Sequence, residues 1–323
     1  MTRLCLVYAD TPVEWNCSQW RITNPSYGLR RVGIDVDEVW IADWATSPHD
    51  PHNRKRIMDA DAVLLQRNCF EGNLDALRYW RGLGKPVYID LDDAYQMLPE
   101  TVAARRFWID NALKFKRPPL EQLREGLLLS SGVTSPSKLI LQDWDAPKKV
   151  WLPNYVRGEW YANLERRPHV GIIIGWGMSM SHFDSFRYCG IVEALVQLCR
   201  RDPRVRVVVC GNDAQPYEML SGIPPQQRTR NAGVNFDVWP QRLAQFDLGI
   251  APLFGDYDRR RSWLKVVEYA CAGVPCIVTK SDPYADLTDW TLAQVDAGAD
   301  LWAAALDDAI ANLRDHQERA AKR

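Results

Sequence analysis

The chain has 323 residues, of which 46% are hydrophobic and 25% charged. That length exceeds one ordinary domain of roughly 100–200 residues, and the composition is that of a globular protein, which excludes a disordered, collagen-like or rod-like chain. Forty basic against 41 acidic residues leave a formal charge of −1, so no global basic field draws nucleic acid or anionic lipid to the chain.

The first apolar run is LCLVYA from Leu4, and no stretch approaches the ~18 apolar residues of a membrane span. Eight cysteines are scattered without a Cys-x-x-Cys pair or histidines at zinc-ligand spacing. These features predict a cytoplasmic protein with reduced thiols and neither a transmembrane segment nor a metal cluster.

In chain order, LCLVYA, DEVWIAD from Asp37, AVLLQ from Ala62 and PVYID from Pro86 read as buried strands. NLDALRYWRGLG, between the last two, reads as a helix stopped by its glycines. After KKVWLPNYVRGEW the alternation starts again with VGIIIGW, VRVVVCG from Val205, VNFDVW from Val234, DLGIAPL from Asp247 and PCIVT from Pro275. Asp184 is the expected cap of a helix carrying Ile191, Ala194, Leu195, Leu198 and Cys199, and residues 299–323 read as one long helix. Two βα series with connections too long for hairpins predict an α/β protein of two Rossmann-like domains, 1–155 and 156–323, each built on a parallel sheet.

Ligands of open α/β sheets bind beyond the carboxyl ends of the strands, so the loops there hold the candidate residues. After VGIIIG, the segment GWGMSMSH offers Gly175 and Gly177 for close backbone approach, with Ser179, Ser181 and His182 as polar groups. The third glycine of a dinucleotide fingerprint is missing, which disfavours NAD. Further on, Arg259, Arg260 and Arg261 precede a helix expected to open at Ser262 as N-cap and to carry Lys265 and Glu268. Cations and a helix start together form an anion site suited to a diphosphate. Asp90, Asp92 and Asp93 follow the strand PVYI; metal binding, a cleft-facing base and a structural turn are all open readings. Near the first strand, Tyr8, Asp10 and Arg21 lie close to Tyr27-Gly28, expected to enter a helix. Arg105, Arg106, Lys114, Lys116 and Arg117 form a basic cluster able to line a phosphate backbone. No basic amphipathic helix of the membrane-surface type is evident.

SWLKVVEYACAGVP resembles the donor-binding signature of GT-B fold glycosyltransferases, specifically the retaining GT4-like group. GIIIGWGMSMSH, VRVVVCG and FDLGIAPL resemble that group's second-domain segments. QWRITNPSYGLRRVGIDV, DAVLLQRN, KPVYIDLDDA, SGVTSPS and VWLPN follow its first-domain order. The resemblance implies GT-B architecture, with two Rossmann-like sheets facing across a cleft, an acceptor-side domain 1–155 and a donor-side domain 156–323. It implies metal-independent transfer of a sugar from a nucleotide diphosphate sugar, with no further cofactor, to an acceptor that is a saccharide, a small molecule or a modified nucleic-acid base. Glu268 would hold the ribose; Ser262, Ser179, Gly175, Gly177 and Arg67 would contact the donor; and Arg261, Lys265, Asp92 and His182 would serve the chemistry. The group carries a second glutamate where this chain has Arg260, and an arginine after its first-loop glycine where this chain has Trp176. The alternatives are the same chemistry on a modified DNA base, as in phage-type DNA glycosyltransferases, and a nonenzymatic GT-B-like binding subunit.

Overall fold

The structure, a computed structural model, describes residues 2–10 and 16–321. The chain divides into two compact units: Met1–Tyr155 with Arg260–Ser262, and Val156–Arg259 with Trp263–Arg323.

In the first unit, β1 (Arg3–Tyr8), β2 (Asp35–Trp40), β3 (Ala62–Gln66), β4 (Val87–Asp90), β5 (Gly132–Ser135) and β6 (Lys149–Trp151) form one sheet ordered β2-β1-β3-β4-β5-β6. Every pairing is parallel, with Cys5 opposite both Asp37 and Val63. Val63, Leu65, Val87, Ile89 and Val133 are buried, as expected of parallel strands covered on both faces. The connecting helices include α1 (Asn24–Arg31), α2 (Gly72–Gly82) and α3 (Pro119–Leu129). On α2, Leu74, Ala76, Leu77 and Trp80 point inward.

Two local readings change here. DEVWIAD is strand only to Trp40; Ile41 begins a short helix, Ile41–Thr46, that buries Ile41 and Trp44. Tyr27-Gly28 lies inside α1, which opens at Asn24 with Pro25 in its first turn, where a missing N–H costs nothing.

The second unit holds β7 (Ile172–Gly177), β8 (Val205–Cys210), β9 (Arg228–Asn231), β10 (Leu248–Ala251), β11 (Cys276–Thr279) and β12 (Ala293–Val295), ordered β12-β11-β10-β7-β8-β9 and parallel throughout. Its helices include α4 (Ile191–Arg201), α5 (Leu264–Cys271), α6 (Ala299–Ala311) and α7 (Leu313–Ala320). The period of two is visible in the packing. Val205, Val207 and Val209 join Ile174, Trp176, Leu248 and Ile250 under α4 and α6, while Val208 and Cys210 face Trp239, Phe246, Val266 and Tyr269 on the opposite side.

Three more expectations are corrected. VNFDVW is a loop and turn leading into a short helix, Trp239–Leu243, and the strand is the preceding polar segment Arg228–Asn231 at the sheet edge. Asp184 sits inside a separate helix, Phe183–Tyr188, and α4 starts at Gly190 with φ 91°. A Cβ at Gly190 would come within 2.5 Å of the Ala299 nitrogen, so only glycine makes that corner. The terminal helix breaks at Asn312, whose φ of −112° and ψ of 21° separate α6 from α7. The Asn312 amide donates to the Asp308 carbonyl at 3.1 Å, a local bond that competes with helix continuation. Among the described residues no helix is long and apolar enough to cross a membrane.

Candidate functional site

In the second sheet the chain runs outward from β7 through β8 to β9, then returns to β10 on the other side of β7. Consecutive loops therefore diverge beyond the carboxyl ends of β7 and β10, the topological switch point where such sheets bind ligands. Helix α5 is fastened to this place by Tyr269, whose hydroxyl proton is shared between the carbonyls of Ile250 at 3.0 Å and Gly175 at 3.2 Å.

Four residues close on one another here. Lys265, in the first turn of α5, donates its Nζ proton to the Gly177 carbonyl. Glu268 follows one turn later on the same face and is buried. Its carboxylate receives a hydrogen bond from Trp239, and the Trp239 ring fills the space where a Gly177 side chain would stand. Burial pushes the Glu268 carboxyl up to about 7, with the Lys265 charge and the Trp239 hydrogen bond pulling the other way. Near neutral pH this carboxyl is poised between its two forms, and hydroxyl groups donating to it would favour the anion.

The structure gives the glycines another reason to exist. Both belong to β7 rather than to the loop after it. Alternation turns Trp176 into the core, stacked on Phe186 at 4.2 Å, and turns Gly175 and Gly177 toward Phe246 and Trp239. A Cβ would come within 2.1 Å of the first ring and 2.3 Å of the second. On their Cα faces these glycines make room for the protein's own aromatic rings.

The loop after β7 carries Ser179, Ser181 and His182. The two serine hydroxyls lie 3.0 Å apart, and the His182 amide donates to the Ser179 carbonyl at 3.0 Å. His182 is the N-cap of the helix Phe183–Tyr188, without a side-chain cap bond. Next to it, Ser185 donates its hydroxyl proton to Asp258, which also accepts from the Phe254 amide at 2.8 Å. Asp258 thus ties together the segments following β7 and β10.

Ser262 is not the N-cap of α5; the helix opens at Leu264 with Trp263 in the cap position and no side-chain cap bond. Arg261 and Ser262 count with the first unit, Lys265 and Glu268 with the second. Ser262 accepts from the Asn154 amide at 3.0 Å. Each arginine of the run has a carboxylate partner: Arg259 pairs with Asp256 and Asp282, Arg260 with Asp143, and Arg261 with Asp93 at 3.8 Å.

In the first sheet the switch point lies between β1 and β3. Arg67, just past β3 with φ 31°, pairs with Asp10 after β1 and with Asp92 after β4 at 3.1 Å. The Tyr95 hydroxyl donates to Asp92. Burial alone would raise the Asp92 carboxyl, but the Arg67 charge and the hydrogen bonds it accepts hold it below the ordinary carboxylate range. Asp90 stands apart from Asp92. Arg21 grips it through two bonds of 2.7 and 2.8 Å, Thr134 adds a third, and Arg21 also donates to the Leu152 carbonyl and to Asn154. Both members of this ion pair are sealed from solvent, so the first carboxylate of the acidic turn is structural.

Trp239 and Asp258 were not singled out as site residues from sequence. Trp239 meets Gly177 and Glu268 only through tertiary packing, and Asp258 hides in an acidic stretch, Gly255–Asp258, that reads as solvated loop.

No family model matches the chain, and no curated protein matches it. Solved structures do. The chain is similar to HepE of Anabaena, solved with UDP and glucose, at TM-score 0.62 and 14% identity, over 99% of this chain and 93% of that one. It is similar to a UDP-forming α,α-trehalose-phosphate synthase of Burkholderia xenovorans at TM-score 0.62 and 13% identity, over 99% and 94%. A third match is a structure described as a putative UDP-N-acetylglucosamine 2-epimerase of Listeria monocytogenes, at TM-score 0.57 and 11% identity, over 99% and 90%. Two parallel six-stranded sheets flanked by helices, matched over the full chain, define the fold as GT-B.

Proposed function

We propose that this protein is a retaining, GT4-like glycosyltransferase that moves a sugar from a nucleoside diphosphate sugar to a hydroxyl or amine acceptor. The observation that carries the reading is the Gly177–Trp239–Lys265–Glu268 cluster at the switch point of the second sheet, where one buried carboxylate and one ammonium stand a helical turn apart. The carboxylate of Glu268 accepts the two vicinal ribose hydroxyls. Lys265 and the first-turn amides of α5 face the diphosphate, and a helix start favours an anion there.

When the bond between the anomeric carbon and the diphosphate oxygen breaks, negative charge gathers on the departing phosphate. A preorganised cation at that point lowers the barrier by roughly 3–4 kcal/mol. On this reading the donor belongs to residues 156–323 and the acceptor to residues 1–155, no metal is required, and the protein works in the cytoplasm. Arg67, expected among the donor contacts, is paired with Asp10 and Asp92, and we assign the Arg67–Asp92 pair to acceptor hydroxyls instead. The matched structures include HepE solved with UDP and glucose and with UDP-glucose, and a UDP-forming synthase, which makes UDP-sugars the first donors to test.

Isothermal titration with UDP, GDP and ADP and their sugars, in EDTA, tests the proposal. One nucleotide binding at micromolar concentration, and weakened in Glu268→Ala, supports it. No binding by any of them overturns it. Binding without sugar transfer to any acceptor leaves a nonenzymatic GT-B subunit, and an epimerised sugar, still nucleotide-linked or freed by water, in place of transfer assigns an epimerase.

A further inference from the structure

The second unit holds a cavity of about 100 Å³ at the amino ends of β11 and β12, the opposite end of the sheet from the switch point. Val274 and Pro275, just ahead of β11, and Leu292, just ahead of β12, give it an apolar wall. Trp290 also lines it, with 44% of its surface exposed. Helix α7 supplies the polar part through His316 and Arg319. These two side chains form one unit. An arginine only donates, so the Arg319 guanidinium 2.7 Å from His316 Nδ1 makes that nitrogen the acceptor and puts the ring's proton on Nε2. Burial and the Arg319 charge hold the ring below the ordinary histidine value, against the opposing pull of Asp308 and Asp315, so it is neutral at neutral pH.

Both side chains leave bonding capacity open. The His316 Nε2 is buried and has no partner among the described residues. Arg319 gives a further N–H to the Asp315 carbonyl at 3.3 Å, and among the described residues it pairs with no carboxylate. A buried donor lacking an acceptor is rare in a folded protein and marks a place where something else completes the bonding. Here an orphan donor, a guanidinium without a counter-charge and an apolar wall share one cavity. We propose that the cavity binds a small organic carboxylate, its oxygens on Arg319 and on the Nε2–H of His316 and its apolar body against Val274, Leu292 and Trp290. Inorganic phosphate would satisfy the cation and leave the apolar wall empty; a neutral ring would do the reverse. This inference is independent of the activity proposed above.

Nuclear magnetic resonance of the full chain, isotope-labelled in its five histidine rings, tests it with benzoate, benzamide and inorganic phosphate as probes. In the free protein the His316 ring is expected as the Nε2–H tautomer. Benzoate should move the signals of that ring saturably, with a dissociation constant of about 1 mM, and leave His49, His52, His169 and His182 in place. Benzamide, which keeps the ring without the charge, and phosphate, which keeps the charge without the ring, should each bind roughly tenfold more weakly. Arg319→Gln should weaken benzoate about tenfold, and Trp290→Ala severalfold. Both side chains are exposed, and unmoved signals from the other four histidines verify the fold; Arg319→Gln alone retains the test where Trp290→Ala fails to fold. A His316 ring that benzoate does not move, phosphate bound as tightly as benzoate, or benzoate affinity unchanged in Arg319→Gln would overturn the proposal.

Discussion

Replacing Glu268 by glutamine tests the donor site most directly, because it keeps the shape of the side chain and removes its titration. Burial lifts this carboxyl from 4.5 to about 7, so in the free protein at pH 7 roughly half the molecules carry a proton there. A nucleotide whose ribose hydroxyls donate to the carboxylate binds the anion. Binding at pH 7 should therefore release about half a proton, and the apparent dissociation constant should rise close to tenfold for each pH unit below that point. If contact with the hydroxyls returns the carboxyl to its ordinary value, the coupling is at most about 3 kcal/mol, a few hundredfold in affinity. Titration calorimetry in two buffers of different ionisation enthalpy counts the proton. In Glu268→Gln the release should vanish, the pH dependence should flatten, and affinity at pH 8 should fall roughly 30- to 150-fold, the loss of about 2–3 kcal/mol of charge-assisted hydrogen bonding. Undiminished proton release in the glutamine variant, or wild-type affinity that improves below pH 7, would refute the reasoning.

The same residue makes a stability prediction of definite sign. A carboxyl raised on folding stabilises the fold fully below its unfolded value of 4.5, and that contribution is lost as pH rises through about 7. Glu268→Gln should thus match the wild type at about pH 4 and exceed it by up to about 3 kcal/mol at pH 8, as read from urea midpoints. Lys265→Ala should lower kcat by roughly 10²–10³ if the ammonium meets charge on the departing diphosphate, measured by release of the nucleotide product. Gly177→Ala places a methyl within 2.3 Å of the Trp239 ring, so it should cost about 1–3 kcal/mol in chemical denaturation and weaken nucleotide binding through the displaced tryptophan. Arg21→Ala strands Asp90 without its buried partner, and a loss of about 3–5 kcal/mol is expected.

The parts of the fold legible in sequence are those where one physical term dominates. β1, β3, β4, β7, β8, β10 and β11 are apolar runs that only a doubly covered sheet hides, and each can be read directly. β9, β6 and β12 are short and lie at or next to a sheet edge, and β9 is the polar RTRN. At an edge, burial no longer dictates side-chain type, so the neighbouring apolar VNFDVW carries the stronger strand signal although it is a loop. Propensity places the cap of α5 one residue early, at Ser262, because serine is the better cap, yet Ser262 is engaged with Asn154. At the candidate site, Lys265 and Glu268 were legible from helical spacing. The contacts that set their environment were not, since Gly177, Trp239 and Glu268 come from three separated segments. Nor does a pair of glycines disclose whether it admits a ligand or a tryptophan. The arginine run looked like free positive charge, and only the three-dimensional arrangement supplies its carboxylates.

Arg21 bears on how the first unit comes to exist. Its partners lie 69, 131 and 133 positions further along the chain, so until residue 154 has left the ribosome this guanidinium has no complete set of acceptors. A fragment ending before β6 lacks the Leu152 and Asn154 acceptors, so the full coordination of Arg21 draws on both ends of the segment 21–154 and closes the first sheet's last strand back onto its first connection.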